Sequence, residues 1–197
     1  MARQVMLVCE DQVGAAILER LLQDKHPMIQ PYATQVTRSN SQIRAQMEKY
    51  VKASRAGIPH IILTDLDNHR CAPSLIEQWK VPTIPGFLFF RVAAREAEAW
   101  ILADKEALAD FLDLPAAKLP STPEAEADPK QTLMNLVRRS RVKGLRRDIL
   151  PEEGSSASKG ILYNEQWRAF ILSRWDPQRA ARRSASLRRA MMSIARL

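Results

Sequence analysis

Two short apolar runs, each ending in an acidic residue, constrain the fold of this chain most. Positions 4–9 (QVMLVC) lead directly into Glu10, and positions 60–64 (HIILT) lead directly into Asp65. Apolar runs of this length are typical of strands that are buried on both faces of a parallel sheet. The segments between them have helical spacing, so the sequence predicts an α/β fold with a mostly parallel sheet flanked by helices.

The other predicted elements follow the same alternation of strand and helix. A helix is expected from Val13 to about Lys25, and a second strand lies within 28–36. Ser41 is a plausible N-cap for a helix that ends near Ala56. Further on, we predict a helix at 72–79, an extended run at 86–92, and helices at 95–112, 130–142, 163–175 and 179–197.

Composition divides the chain into three predicted parts. Residues 1–114 form the catalytic α/β core, residues 115–130 form a proline-rich linker or loop, and residues 131–197 form a basic helical C-terminal portion. From 138 to 197 there are 15 Lys and Arg against 5 Asp and Glu, although the whole chain carries only +8. Such a basic segment favours contact with a polyanion, and a solvated helix face is the alternative.

The acidic residues at the strand ends are the main candidates for chemistry. In open parallel sheets, the functional crevice lies outside the carboxyl ends of the strands. Glu10 and the pair Asp65 and Asp67 occupy such positions. Mg²⁺ prefers oxygen ligands and is usually held by one or two carboxylates, so we expect a Mg²⁺ or Mn²⁺ site here. An Asp-x-Asp pair alone is common in surface turns; the combination with Glu10 is more specific.

These motifs resemble a known domain. The run 8–10 (VCE) followed by a helix, and the run 61–67 (IILTDLD), are similar to the Toprim domain of topoisomerases, primases and several nucleases. The stretches at 95–104, 128–130 and 184–187 resemble an uncharacterised bacterial Toprim-like family, domain of unknown function 4276. That family is similar to nucleases of the overcoming-lysogenisation-defect type.

The resemblance implies roles for particular residues. Glu10 would be the catalytic residue or a ligand, and Asp65 and Asp67 would bind metal. Asp11 is an alternative to Glu10, because the residues after Glu10 depart from the usual Toprim pattern. Glu96 and Glu98 are candidates for a second metal; the alternatives are a helix-capping role for Glu96 and a solvated helix face for Glu98.

Basic residues are the candidates for nucleic-acid contact. The predicted set combines Lys130 with a cluster on the C-terminal portion, namely Arg138, Arg139, Arg141, Lys143, Arg146 and Arg147. A second cluster comprises Arg182, Arg183, Arg188 and Arg189. Arg91 and Arg95 either neutralise phosphate or pair with the glutamates.

The leading hypothesis is a Mg²⁺-dependent nuclease, with DNA favoured over RNA as its substrate. The resemblance adds phage defence and a companion ATPase of the ABC or SMC type. The alternatives are a noncatalytic module that binds an ATPase and nucleic acid, and a phosphohydrolase of small nucleotides. The apolar residues Trp167, Phe170, Ile171 and Trp175 form a stripe that packs on the domain, on a partner or in a homodimer.

The sequence also predicts where the protein works. Only Cys9 and Cys71 are present, and their spacing suits no zinc motif. No apolar run reaches the roughly 20 residues of a membrane span. We therefore expect a cytoplasmic protein without disulfides or membrane contact.

Overall fold

Four parallel strands form the centre of the molecule in a computed structural model that describes residues 4–197. The strands are β1 (Val5–Cys9), β2 (Pro31–Val36), β3 (His60–Asp65) and β4 (Leu88–Ala93). Their spatial order is β2-β1-β3-β4, and every neighbouring pair is parallel. From β1, the chain first adds β2 on one side of that strand and then adds β3 and β4 on the other side. The strand order therefore reverses between β1 and β3.

Helices cover both faces of this sheet because side chains alternate along each buried strand. On β3, Ile61 and Leu63 pack on the face that carries α1, whereas Ile62 packs on the opposite face. The helices that connect the strands are α1 (Gln12–Lys25), α2 (Asn40–Ala45), α3 (Met47–Arg55) and α4 (Ala72–Gln78). Residues of α2, α3 and α4 share the smaller hydrophobic core with Ile62.

The chain after β4 is helical and packs on the α1 face of the sheet. Its helices are α5 (Glu98–Ala103), α6 (Lys105–Leu112), α7 (Pro129–Arg139), α8 (Lys143–Ile149), α9 (Tyr163–Ser173), α10 (Pro177–Ala181) and α11 (Ala185–Ile194). Helix α9 contacts α1, and α11 contacts β4. Residues from both the α/β part and the C-terminal helices belong to one continuous hydrophobic core. The α/β class with a C-terminal helical portion is therefore confirmed.

The predicted apolar stripe, on α9 and just after it, is buried within the chain itself. Trp167 and Trp175 are fully buried, and Trp167 contacts the rings of Phe111 and Phe170. The stripe thus packs on the domain, one of the alternatives that the sequence allows. In residues 4–197, no helix is both long and apolar enough to cross a membrane.

Several helix boundaries differ from the sequence predictions. Ser39, and not Ser41, caps α2 by accepting a hydrogen bond from the Gln42 backbone N–H at 3.3 Å. The predicted helix 95–112 begins only at Glu98, because Arg95 has a left-handed backbone with φ 64°. It is also divided at Asp104, whose backbone (φ −85°, ψ 72°) is not helical.

The two other long predicted helices also end or divide earlier. The segment predicted as 179–197 forms α10 and α11, with Ser184 capping α11 through its hydroxyl. The segment predicted at 130–142 ends at Arg139. Within 115–130, short 3-10 helices lie at Ala116–Lys118 and Pro123–Ala125. The three-part division of the chain stays a prediction.

Candidate active site

Glu10 and Asp65 lie side by side at the point where the strand order reverses. Glu10 follows β1, and Asp65 ends the neighbouring β3. The Glu10 carboxylate Oε1 accepts hydrogen bonds from the Thr64 hydroxyl at 2.7 Å and from the Asp65 backbone N–H at 2.9 Å. A crevice at the carboxyl ends of the strands is expected at such a reversal. The two carboxylates predicted from separate motifs are thus brought together by strand pairing.

Asp65 and Asp67 are oriented by different neighbours. The Asp65 Oδ1 atom accepts a hydrogen bond from the Ala97 backbone N–H at 2.9 Å. Asp67 follows the strand in a left-handed conformation with φ 49°, and its Oδ2 atom accepts a hydrogen bond from the Asn40 side chain at 2.6 Å. Both aspartates therefore have side-chain oxygens oriented by groups outside β3, and Asn40 brings the start of α2 to this edge.

Glu96 and Glu98 lie at the same edge: Glu96 is in the connection after β4, and Glu98 is the first residue of α5. The Glu96 Oε2 atom accepts a hydrogen bond from the Lys130 backbone N–H at 2.9 Å, at the start of α7. Glu98 is only 3% exposed, and its Oε1 atom accepts a hydrogen bond from the Tyr163 hydroxyl at 3.3 Å. The alternative of a solvated helix face for Glu98 is therefore wrong. Glu96 contacts the first turn of α7 rather than capping its own helix.

Burial and mutual repulsion raise the pKa values of these carboxyl groups. Burial raises the pKa of Asp65 well above its usual value, and the negative charges of Glu98 and Glu10 add to this effect. Burial together with nearby acids raises the pKa of Glu98 to about 7. Burial also raises the pKa values of Glu10 and Glu96, although backbone N–H groups oppose it. The site therefore holds negative charge that the surrounding protein does not fully compensate.

The donor chemistry of the site fits a hard divalent cation. Over residues 4–197, none of the ion pairs involves Glu10, Asp65, Asp67, Glu96 or Glu98. Groups of uncompensated carboxylates with raised pKa values are typical of functional sites. In the described part of the chain, however, no three Asp, Glu, His or Cys side chains converge as ligands of one ion. Carboxylate oxygens are the type of ligand that Mg²⁺ prefers. In the described residues, they are spread around the crevice and do not converge on one point.

Asp11, the alternative to Glu10, has a structural role at the start of α1. Its Oδ1 atom accepts a hydrogen bond from the Gly14 backbone N–H at 2.8 Å, which caps the helix. Such a cap is worth about 1 kcal/mol. Glu10 is the carboxylate that contacts β3, so the structural contacts favour Glu10 for the site.

The structure brings only one of the predicted nucleic-acid-binding residues to the acidic edge. Lys130 lies there, with its ammonium 5.9 Å from the Tyr163 ring centroid. Arg138 and Arg139 lie at the far end of α7, about 12 Å or more along the helix from Lys130. Arg141 lies between α7 and α8, and Lys143, Arg146 and Arg147 lie on α8. Several of them have local partners: Arg138 donates to Asn135, and Arg147 pairs with Asp148.

Three contacts of the site were missed by the sequence reasoning. Thr64, Asn40 and Tyr163 each hydrogen-bond one of the candidate carboxylates. Thr64 precedes Asp65 on a predicted strand, so its position at the edge was a usable signal. Asn40 and Tyr163 come from distant segments, and no local pattern marks them.

Comparisons with known proteins give a distant likeness. No protein-family model matches the chain, and no curated protein matches it. The C-terminal region of the Burkholderia pseudomallei OLD protein aligns with a TM-score of 0.45 and 15% identity, covering 99% of this chain and 98% of that chain. The C-terminal region of the Xanthomonas campestris pv. campestris OLD protein aligns with a TM-score of 0.43 and 14% identity, covering 99% and 95%.

Proposed function

We propose that this chain is a Toprim-like nuclease that cleaves phosphodiester bonds with the help of Mg²⁺ or Mn²⁺. The observation that carries the proposal is the set of carboxylates around the strand reversal, which has no ion-pair partner in the described part of the chain. Asp65 and Asp67 would hold the metal, with Glu10, Glu96 and Glu98 as further ligands. When bound, the ion would polarise a phosphate oxygen and stabilise charge that develops during cleavage.

Glu10 is the proposed catalytic residue. Its carboxylate is oriented by two donors, Thr64 and the Asp65 backbone, and its second oxygen is free of any hydrogen bond from them. Burial raises the pKa of Glu10, which makes it a better proton acceptor than an exposed glutamate. In this role, Glu10 would take a proton from the attacking water or return one to the leaving oxygen.

The wider setting of the proposal comes from the sequence resemblance. On this basis, we propose that the chain belongs to the family with domain of unknown function 4276 and acts in phage defence. We further propose that it works in the cytoplasm with a companion ATPase of the ABC or SMC type. DNA is the favoured substrate. The basic cluster from Arg138 to Arg147 would add phosphate contacts, and a homodimer is compatible with the proposal.

The proposal is tested by cleavage of supercoiled plasmid, linear DNA and single-stranded RNA. Asp65→Asn and Asp67→Asn should each lower metal-dependent cleavage by about 100-fold or more, because each removes one anionic oxygen from the proposed site. Asp110→Asn is the matched control, since Asp110 is an exposed aspartate on α6. EDTA should abolish cleavage by the wild type. Full cleavage by both variants would overturn the proposal.

A noncatalytic module is the second candidate function. It is favoured by one observation, the lack of three converging metal ligands in residues 4–197. This candidate predicts that the chain binds nucleic acid or an ATPase but cleaves none of the three substrates with either metal. Hydrolysis of small nucleotides alone would instead indicate a phosphohydrolase.

A further inference from the structure

A groove runs along β4, the strand at one edge of the sheet. It consists of three adjoining cavities, with volumes of about 530, 520 and 240 Å³. The first two share Ile76, Phe90 and Arg91, and the last two share Pro73 and Arg189 among others. The cavities therefore form one continuous depression between β4, the segment after β3 and helix α11.

Arginine supplies all of the charge in the lining of this groove. Arg196 and Arg91 line the first cavity, Arg91 and Arg189 the second, and Arg189 and Arg70 the third. No Asp or Glu is found among the described residues that line any of the three cavities. A concave surface with four guanidinium groups and no acid attracts anions. We call this surface the arginine groove.

Arg91 is the most informative residue of the arginine groove. Its Nε atom is shielded from solvent and has no hydrogen-bond partner. Burial, together with the positive charges of Arg196 and Arg189, lowers the pKa of Arg91. A buried guanidinium is normally paired, because leaving its donors unsatisfied is costly. Arg189 and Arg196 repel Arg91, and the buried Nε donor of Arg91 has no hydrogen-bond partner in the described part of the chain. We take both observations as indications that an anionic ligand binds here.

The arginine groove leads to the acidic edge. Its third cavity is lined by Leu66, between Asp65 and Asp67, and by Ala94, two residues before Glu96. Ala93, at the end of β4, pairs directly with Asp65. The six residues of β4 span about 20 Å, which corresponds to several phosphates at the spacing of about 3.4 Å along one strand of a duplex. An anion of repeating charge thus fits better than a single small anion.

We propose that the arginine groove binds the phosphate backbone of a nucleic-acid strand and leads it to the carboxylates at the end of β3. This inference rests on the proposed function and names the surface that holds its substrate. It assigns phosphate contacts to Arg70, Arg91, Arg189 and Arg196, of which Arg70 and Arg189 line the cavity next to the acidic edge. The cluster from Arg138 to Arg147 then has a smaller part in binding.

The test is binding of a fluorescein-labelled single-stranded oligonucleotide in EDTA, measured by fluorescence anisotropy. The groove variant is Arg91→Gln/Arg189→Gln/Arg196→Gln. The matched control is Arg138→Gln/Arg139→Gln/Arg141→Gln, which removes the same charge from exposed positions on and after α7. We expect the groove variant to weaken binding by about tenfold or more, and the control by much less. The slope of log affinity against log salt should fall by about two in the groove variant, because three phosphate contacts are lost, and by clearly less in the control.

The folding of the groove variant is checked by its thermal melting. Arg91 makes no hydrogen bond through Nε, so its replacement should not lower the melting temperature. If the melting temperature does fall, the double variant Arg189→Gln/Arg196→Gln provides the same comparison at exposed positions only. This double variant should still weaken binding several-fold.

Several outcomes would overturn the inference. These are equal losses in the groove and control variants, a larger loss in the control, or no binding by the wild type. A labelled polyglutamate peptide should also be tested. If it binds as tightly as the oligonucleotide, and the groove variant no longer binds it, the groove is instead a site for an acidic protein. Because EDTA prevents metal-dependent cleavage, these results are independent of the Asp65→Asn assay. Cleavage that depends on Asp65 can therefore survive a failed groove inference.

Discussion

Helix α5 buries one carboxylate at each end, and the two have very different surroundings. Asp104, at the C-terminal end, is fully buried and accepts two hydrogen bonds from the Arg179 guanidinium, both at 2.9 Å, and one from the Asp176 backbone N–H at 2.7 Å. Glu98, at the N-terminal end, is 3% exposed and accepts a hydrogen bond from the Tyr163 hydroxyl at 3.3 Å. The first carboxylate has a cationic partner, and the second faces other acids.

Asp104 is therefore a structural acid, whereas Glu98 is a candidate for function. A buried anion is tolerated when a cation and several donors replace its water. Asp104 has such partners, and it joins α5 to α10. Glu98 has no ion pair among the described residues; its pKa is raised to about 7 by burial and by nearby acids, and the positive charge of Lys130 opposes this only in part. A buried carboxylate that remains without compensation is expected where a bound ligand supplies the missing charge.

Neutralising each acid in turn tests whether Asp104 and Glu98 differ in this way. Asp104→Asn should lower the free energy of unfolding by about 2 kcal/mol, because it removes the buried anion that accepts two hydrogen bonds from Arg179, which keeps its more exposed ion pair with Asp176. Glu98→Gln should leave the metal-free protein as stable as the wild type, or about 1 kcal/mol more stable, since it removes a buried charge. Urea unfolding at pH 8 in EDTA measures both. Losses of the same sign and size would mean that Glu98 is also a structural acid.

Metal binding should raise the free energy of unfolding by a smaller amount. At about ten times its dissociation constant, Mg²⁺ or Mn²⁺ should stabilise the wild type by about 1.4 kcal/mol, or roughly 3 °C in melting temperature. Asp65→Asn should show little of this shift, and Asp104→Asn should retain it. Calcium-free buffers and a magnesium-free baseline are the controls. An equal shift in the Asp65→Asn protein would place the ion elsewhere.

The smallest effect is expected at an exposed ion pair next to Asp104. Glu106 accepts two hydrogen bonds from Arg183, at 2.8 and 3.1 Å, but its side chain is 56% exposed. Water therefore compensates both charges in the unfolded and folded protein, and Glu106→Gln should cost less than about 1 kcal/mol. Measured in the same urea series, a loss as large as that of Asp104→Asn would show that burial does not set the difference.

Local patterns in the sequence predicted the sheet edge well. The runs that end at Glu10 and Asp65 are buried strands, as predicted, and the structure adds that β1 pairs directly with β3. Glu98 was harder to place, because a glutamate at the start of a helix is usually exposed. Its burial depends on Tyr163, which is 65 residues away, and no periodicity reports a contact at that distance.

Helix boundaries failed where tertiary contacts override local preference. Residues 95–112 have continuous helical propensity, but Asp104 leaves the helical conformation and bonds to Arg179 on α10. Sequence charge likewise identified the basic C-terminal third. It gave no indication that Arg189 and Arg196 meet Arg91 from β4, because that meeting depends on how α11 packs on the sheet.

The contact between Tyr163 and Glu98 has a consequence for synthesis of the protein. On the ribosome, every candidate carboxylate from Glu10 to Glu98 emerges well before Tyr163. A chain that ends before α9 lacks the Tyr163 hydroxyl that donates to Glu98, and it lacks the helix that packs on α1. The surroundings of Glu98 are thus completed only when α9 has been made, and a shorter chain carries the same carboxylates without this hydrogen bond.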